Sequence, residues 1–204
     1  MIEVNNIDRI LPLLNFNDEN VFLVWLVLRN KDGNTQAKGN NKNRTIKSYY
    51  FTSREKFEER REEIIKICNT FNCRAYICMN GKPLNRVLHI LQNRLVENLY
   101  NYVPKNCNLN SIIDHAVMKA TNSKEKYWVI DVDTKDEEFN NRLKTIIDGA
   151  RSSFSKNIVS EIPTAHGVHL ITRPFDPRSI EGIDIEIKRE GLTLLYANLE
   201  EDIC

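Results

Sequence analysis

The sequence predicts an α+β fold made of two α/β modules that share a cleft. Three observations carry that reading. Val21 to Leu28 (VFLVWLVL) is continuously apolar, as a central strand covered on both faces would be. Tyr127 to Asp133 (YWVIDVD) is a second apolar strand, in the other half of the chain, with two carboxylates set into it. The elements around these strands run ββαβαα and then βαββββ, joined near Pro104 to Ser123. The expected modules are residues 1–122 and 123–204.

Taken in order, Ile7 to Leu14 is a short amphipathic piece interrupted by Pro12. After the first strand, the polar run from Arg29 to Asn43 has two glycines and no hydrophobic period, so it reads as a hairpin loop. Arg44 to Phe51 returns as its partner strand. Ser53 is placed to cap a helix whose apolar stripe is Phe57, Ile64, Ile65 and Cys68. Cys73 to Asn80 is the next strand. Cys73, Ala75, Ile77 and Met79 form its apolar side, while Arg74, Tyr76, Cys78 and Asn80 form the other. That second side is either a solvated surface or the floor of a cleft for a polyanion, with Arg74 as a candidate nucleotide contact. A long helix, Arg86 to Val103, puts Leu88, Leu91, Leu95 and Leu99 on one stripe and stops at Pro104. A shorter helix runs from Ser111 to Lys119.

In the second half, Asp136 to Ala150 reads as a helix burying Phe139, Leu143, Ile146 and Ile147. Strands follow at Ile158 to Ile162, Val168 to Thr172 and Ile183 to Ile187. A last apolar run, Leu192 to Ala197, precedes the acidic tail LEEDIC.

Composition narrows the function classes. The chain has 204 residues, 41% hydrophobic and 28% charged, which is ordinary for a globular protein. The net charge is +1, so any nucleic-acid contact must come from a local patch. No segment approaches the length of a membrane span, and the N-terminus lacks the basic-then-apolar order of a signal peptide. A cytoplasmic protein with no membrane partner is expected. Five cysteines without an export signal argue against a disulfide framework, and the five-residue spacing of Cys68, Cys73 and Cys78 fits no zinc motif. Abundant Asn, Lys and Ile are the mark of an AT-rich genome, such as that of a phage.

Three segments carry candidate chemistry. Residues two apart on a strand project to the same side, so Asp131 and Asp133 bring two anions together, and a divalent cation is the usual remedy. Pro163 to Pro174 (PTAHGVHLITRP) gathers Thr164, His166, His169 and Arg173 around Gly167, the groups a phosphate wants. Ile183 to Lys188 (IDIEIK) sets Asp184, Glu186 and Lys188 on one face by alternation.

This order of pieces resembles the archaeo-eukaryotic primase superfamily. An apolar strand ending Asp131-Val132-Asp133 is followed by the motif Thr164-Ala165-His166-Gly167-Val168-His169, then by an acid on Ile183 to Ile187. The resemblance covers Lys126 to Tyr196 and implies an RRM-like antiparallel catalytic sheet with helices. It also implies template-directed nucleotidyl transfer on a DNA template and primer. Asp131, Asp133 and either Asp184 or Glu186 would hold two Mg²⁺ or Mn²⁺ ions, with Glu186 the candidate metal ligand. His169 would contact the triphosphate of the incoming nucleotide, with Thr164, Arg173 and Lys188 as helpers, while His166 would stay outside the site. Lacking a zinc cluster or helicase segment, such a core would depend on a helicase or another replication protein. A metal-dependent nuclease would use the same acids, and a non-catalytic nucleic-acid-binding phage module is the third reading.

Overall fold

The computed structural model describes residues 2–32, 43–100, 109–121 and 126–199. Most of the expected hairpin loop, the linker at Pro104, the loop before Lys126 and the acidic tail lie outside the described residues. The chain is α+β, with two antiparallel sheets. The first has the order β1-β10-β4-β2-β3, formed by β1 (Ile2–Asn5), β2 (Asn20–Arg29), β3 (Asn43–Phe51), β4 (Arg74–Cys78) and β10 (Leu192–Leu199). The two-residue β5 (Lys82–Pro83) pairs with the start of β2. The second sheet has the order β7-β8-β6-β9, formed by β6 (Trp128–Val132), β7 (Ile158–Pro163), β8 (Val168–Thr172) and β9 (Glu186–Lys188).

The apolar run of β2 has the cause expected of it. Phe22, Val24, Leu26 and Leu28 share a cluster with Ile7 and Ile10 of the short α1 (Ile7–Ile10) and with Phe57, Ile64 and Cys68 of α2 (Arg54–Phe71). Val21 and Leu23 pack on the opposite face with Ala116 and Val117 of α4 (Leu109–Lys119) and Val87 of α3 (Leu84–Tyr100). Ser53 caps α2, its Oγ accepting the Lys56 N–H. Asp114 fastens α4 to the sheet by accepting hydrogen bonds from Ser48 (2.9 Å) and Tyr50 (2.6 Å).

The apolar stripe of α3 is rotated from its expected position. Of the expected stripe, Leu88 and Leu95 are 56% and 38% exposed, Leu91 is partly buried, and the side chain of Leu99 lies outside what is described. Val87 is buried instead, with Leu84 and Ile90 partly buried beside it. The helix carries two adjacent apolar stripes about 100° apart, and packing against α4 selects one of them. Among the described residues, no helix is long and apolar enough to cross a membrane.

The second sheet has two distinct faces. Trp128, Ile130, Val132 and Leu170 cover one, packed under Leu143 and Ile147 of α5 (Glu137–Gly149), which Asp136 caps. On the other, Val129, Ile162 and Ile171 join the main core of the first sheet. A division at 122/123 therefore does not separate the sheets. The expected C-terminal module loses β10, which inserts between β1 and β4.

Side chains lock the two sheets together. The Asn6 amide donates to Pro163 O (2.8 Å) and Leu194 O (3.0 Å), beside an irregularity where β10 slips register against β4. Asn80 pairs with the Tyr127 backbone in both directions, accepting its N–H (2.7 Å) and donating to its carbonyl (2.9 Å). Fully buried Lys82 reaches Glu190 at 2.7 Å.

Asn80→Ala would orphan both Tyr127 backbone groups at the head of β6. Each buried unsatisfied group costs about 1–3 kcal/mol, so the denaturation midpoint should fall clearly in urea titration. An unchanged midpoint would mean that the joint is carried by the apolar core alone.

Candidate functional site

The site is built on the antiparallel register of three strands. Asp131 stands opposite His169 on β8 and opposite Glu186 on β9. Directly opposed residues project to the same face, so an imidazole and two carboxylates lie in a row across the sheet. Val129 and Ile171 on that face pack into the first sheet's core, so the row sits where the core gives way to solvent.

Both carboxylate oxygens of Asp131 are engaged. His169 Nε2 lies 3.1 Å from Oδ1, and Lys188 Nζ lies 2.5 Å from Oδ2. Hydrogen bonding from His169 is the strongest influence on this carboxyl. Partial burial opposes it and Lys188 reinforces it, and together they hold Asp131 well below the ordinary carboxylate range. Lys188 also lies 3.2 Å from Glu186 Oε2. Burial alone would lower its affinity for a proton, but Asp131 and Glu186 outweigh that and raise it above the ordinary lysine value.

His169 is 7% exposed and held at both ring nitrogens, since Nδ1 lies 2.9 Å from the Thr193 hydroxyl. A carboxylate only accepts, so the nitrogen facing Asp131 carries the proton, and in the neutral ring the other accepts from Thr193. The expected contact between His169 and a triphosphate is thus pre-empted in this arrangement, and the ring orients Asp131 instead. Thr193 belongs to β10, so the first sheet reaches across to fix a residue of the second. Its signal in the sequence is a lone hydroxyl inside the apolar run that begins at Leu192.

The other candidates divide. Thr164 builds the turn: its Oγ accepts the Gly167 N–H (3.0 Å), and its own N–H donates to the Gly167 carbonyl (2.9 Å). A Cβ at Gly167 would overlap the Val132 carbonyl oxygen and come within 3.0 Å of the Thr134 amide nitrogen, so glycine is required for this loop to lie against the exit of β6. His166 is exposed, as expected. Asp133 is exposed one residue beyond β6, and Asp184 is exposed two residues before β9; among the described residues neither has a hydrogen bond or ion pair. Glu186, its side chain 69% exposed, is therefore the acid that stands across from Asp131.

Two candidates fall outside the site. Arg173 follows the opposite end of β8 and sits over the Phe154 ring at 4.7 Å. Arg74 lies on β4 in the first sheet, buried, its Nε and Nη2 donating to the two carboxylate oxygens of Asp32 at 2.8 and 2.6 Å. On the same face of β4, Cys78 and Asn80 are buried with it and Tyr76 is half-buried, so Arg74 is not displayed on an open surface.

Among the described residues, no three carboxylate, imidazole or thiol side chains converge as a metal cage. A cleft of about 800 Å³ is lined by Phe22, Met79, Asn80, Arg86 and Tyr127, at the opposite end of β6 from Asp131. No protein-family model matches the chain, and neither a curated protein nor a solved structure matches it.

Gly167→Ala should destabilise the fold by about 1–3 kcal/mol or more, the cost of overpacking a filled site. Gly149→Ala, where an added Cβ meets nothing within 4 Å, is the matched control and should be neutral or slightly stabilising. Equal thermal midpoints for the two variants would show that the Gly167 turn yields without cost.

Proposed function

We propose that this chain is a metal-dependent nucleotidyl transferase, the catalytic core of a primase-polymerase that extends a primer on a DNA template. The observation that carries the reading is the alignment of His169, Asp131 and Glu186 across β8, β6 and β9, with the Gly167 turn seated at the end of β6. Three segments far apart in sequence supply that row. The path β6-α5-β7-β8-β9 with strand order β7-β8-β6-β9 supports an RRM-like module of the split β-α-β kind. A short 3-10 turn, Pro177–Ile180, stands where a second helix would lie.

The donors suit a hard cation. Asp131 and Glu186 present carboxylate oxygens on one face, and the Lys188 ammonium between them marks a place where positive charge is held. Asp131 and Glu186 would hold Mg²⁺ or Mn²⁺, with Asp133 at the strand exit as a further ligand. When bound, such ions help activate the primer hydroxyl and offset charge on the leaving pyrophosphate. His169, backed by Thr193, fixes the carboxylate of Asp131, the outer-shell role that sets ligand orientation. Nucleoside triphosphates, a primed DNA template and a helicase or other replication protein are the proposed partners, in the cytoplasm of the cell that makes the protein.

The saturation of Asp131 by His169 and Lys188 favours a second reading, in which this cluster is structural and the chain binds nucleic acid without catalysis. A primer-extension assay with Mn²⁺ and mixed nucleotides separates the two. Extension is expected in the parent, and Asp131→Asn or Asp133→Asn should reduce it by roughly a hundredfold or more, the scale of losing about 3 kcal/mol of transition-state stabilisation. Circular dichroism should show both variants folded. Shortening of the primer would reassign the chain as a nuclease, and neither lengthening nor shortening would leave the binding module.

A further inference from the structure

Lys188 occupies the point a cation would need. Its ammonium touches both acids that face it, Asp131 at 2.5 Å and Glu186 at 3.2 Å, with His169 on the far oxygen of Asp131. The register explains the reach. Lys188 stands opposite Val129, so its side chain extends along the sheet by one pair to meet Asp131, while Glu186 closes from the same strand. A Mg²⁺ ion takes its oxygen ligands at about 2.0–2.1 Å. An ammonium at hydrogen-bonding distance from the same oxygens leaves it no room, and the two cations repel.

We infer that Lys188 is an internal counter-ion that closes the cation seat, and that a divalent ion enters by displacing it. The inference rests on the proposed function only in taking Asp131 and Glu186 as metal ligands. The lysine stem is long and flexible and its side chain is already 31% exposed, so release needs a change of rotamer and no movement of the sheet. The lysine keeps the two carboxylates compensated until a stronger cation arrives, and it sets a threshold on the ion concentration at which the site loads.

The test is manganese binding to the full chain without nucleotide, read from the electron paramagnetic resonance signal of free Mn²⁺. Lys188→Met removes the competing charge and should tighten binding by about ten- to a hundredfold, the equivalent of one charged hydrogen bond. Lys188→Gln serves as a second neutral variant should the first fail to fold. Lys188→Arg keeps the charge and should stay as weak as the parent. Equal affinity in the parent and the neutral variants, with binding lost in Asp131→Asn, overturns the displacement while leaving the metal site intact. Binding unchanged in Asp131→Asn, or absent from every variant, overturns the metal site and the displacement with it.

Discussion

The register of β6 between β8 and β9 governs everything else about the site, because the side-chain period of a strand is two. A slip of one residue would carry Asp131 to the face under α5 and bring Ile130 out beside Lys188. What prevents the slip is the apolar set on both faces. Trp128, Ile130 and Val132 belong to the cluster beneath α5, while Val129 belongs to the core shared with the first sheet. The strand is thus indexed from two sides, and Asp131 is the one polar residue inside it, placed where the shared core ends. The chemistry of the row depends on this packing more than on any contact the polar groups make with one another.

The two sheets are held as one body by unequal forces. Burying a large apolar side chain is worth about 1.5–3 kcal/mol, and Val129, Ile162 and Ile171 of the second sheet all enter the first sheet's cluster. The Lys82–Glu190 pair contributes much less net stability, since removing an ammonium from water costs several kcal/mol before attraction repays it. Breaking such a pair is nevertheless expensive, so it fixes where the turn between β9 and β10 must lie. That turn sets the start of β10, and β10 carries Thr193 to His169. Geometry at the site is therefore inherited from a strand that belongs to the other sheet.

Strands and their faces were largely legible in the sequence, because alternation and unbroken apolar runs are local signals. β2, β3, β6, β8 and the capped helices α2 and α5 lie close to where patterning puts them. The misplacements share one cause, a partner distant in the chain. Arg74 reads as a candidate nucleotide contact until Asp32, in the turn after β2, accepts from its Nε and Nη2. The last apolar run reads as the fifth strand of the second module, and only pairing with β1 and β4 shows that it belongs to the first sheet. Asp184 and Glu186 are equivalent by alternation, and the strand begins at the second of them. Thr193 and Lys188 acquire their roles only through register, which local pattern does not encode.

Charge arithmetic gives the cluster its direction. Asp131 and Glu186 carry two negative charges against one from Lys188, and Asp133 at the strand exit adds a third acid. Counting only these acids and Lys188, the group stands at a formal charge of −2; a divalent ion that displaced the ammonium would leave the three carboxylates and the ion at −1. In the proposed function a second ion would drive the cluster positive unless more negative charge arrived with it. The phosphates of a nucleotide carry that charge, and the Lys188 ammonium, once displaced, adds one more cation for them to meet. Under the proposed function, such a site would favour loading metal and nucleotide together over either alone, because each would offset the charge the other introduces.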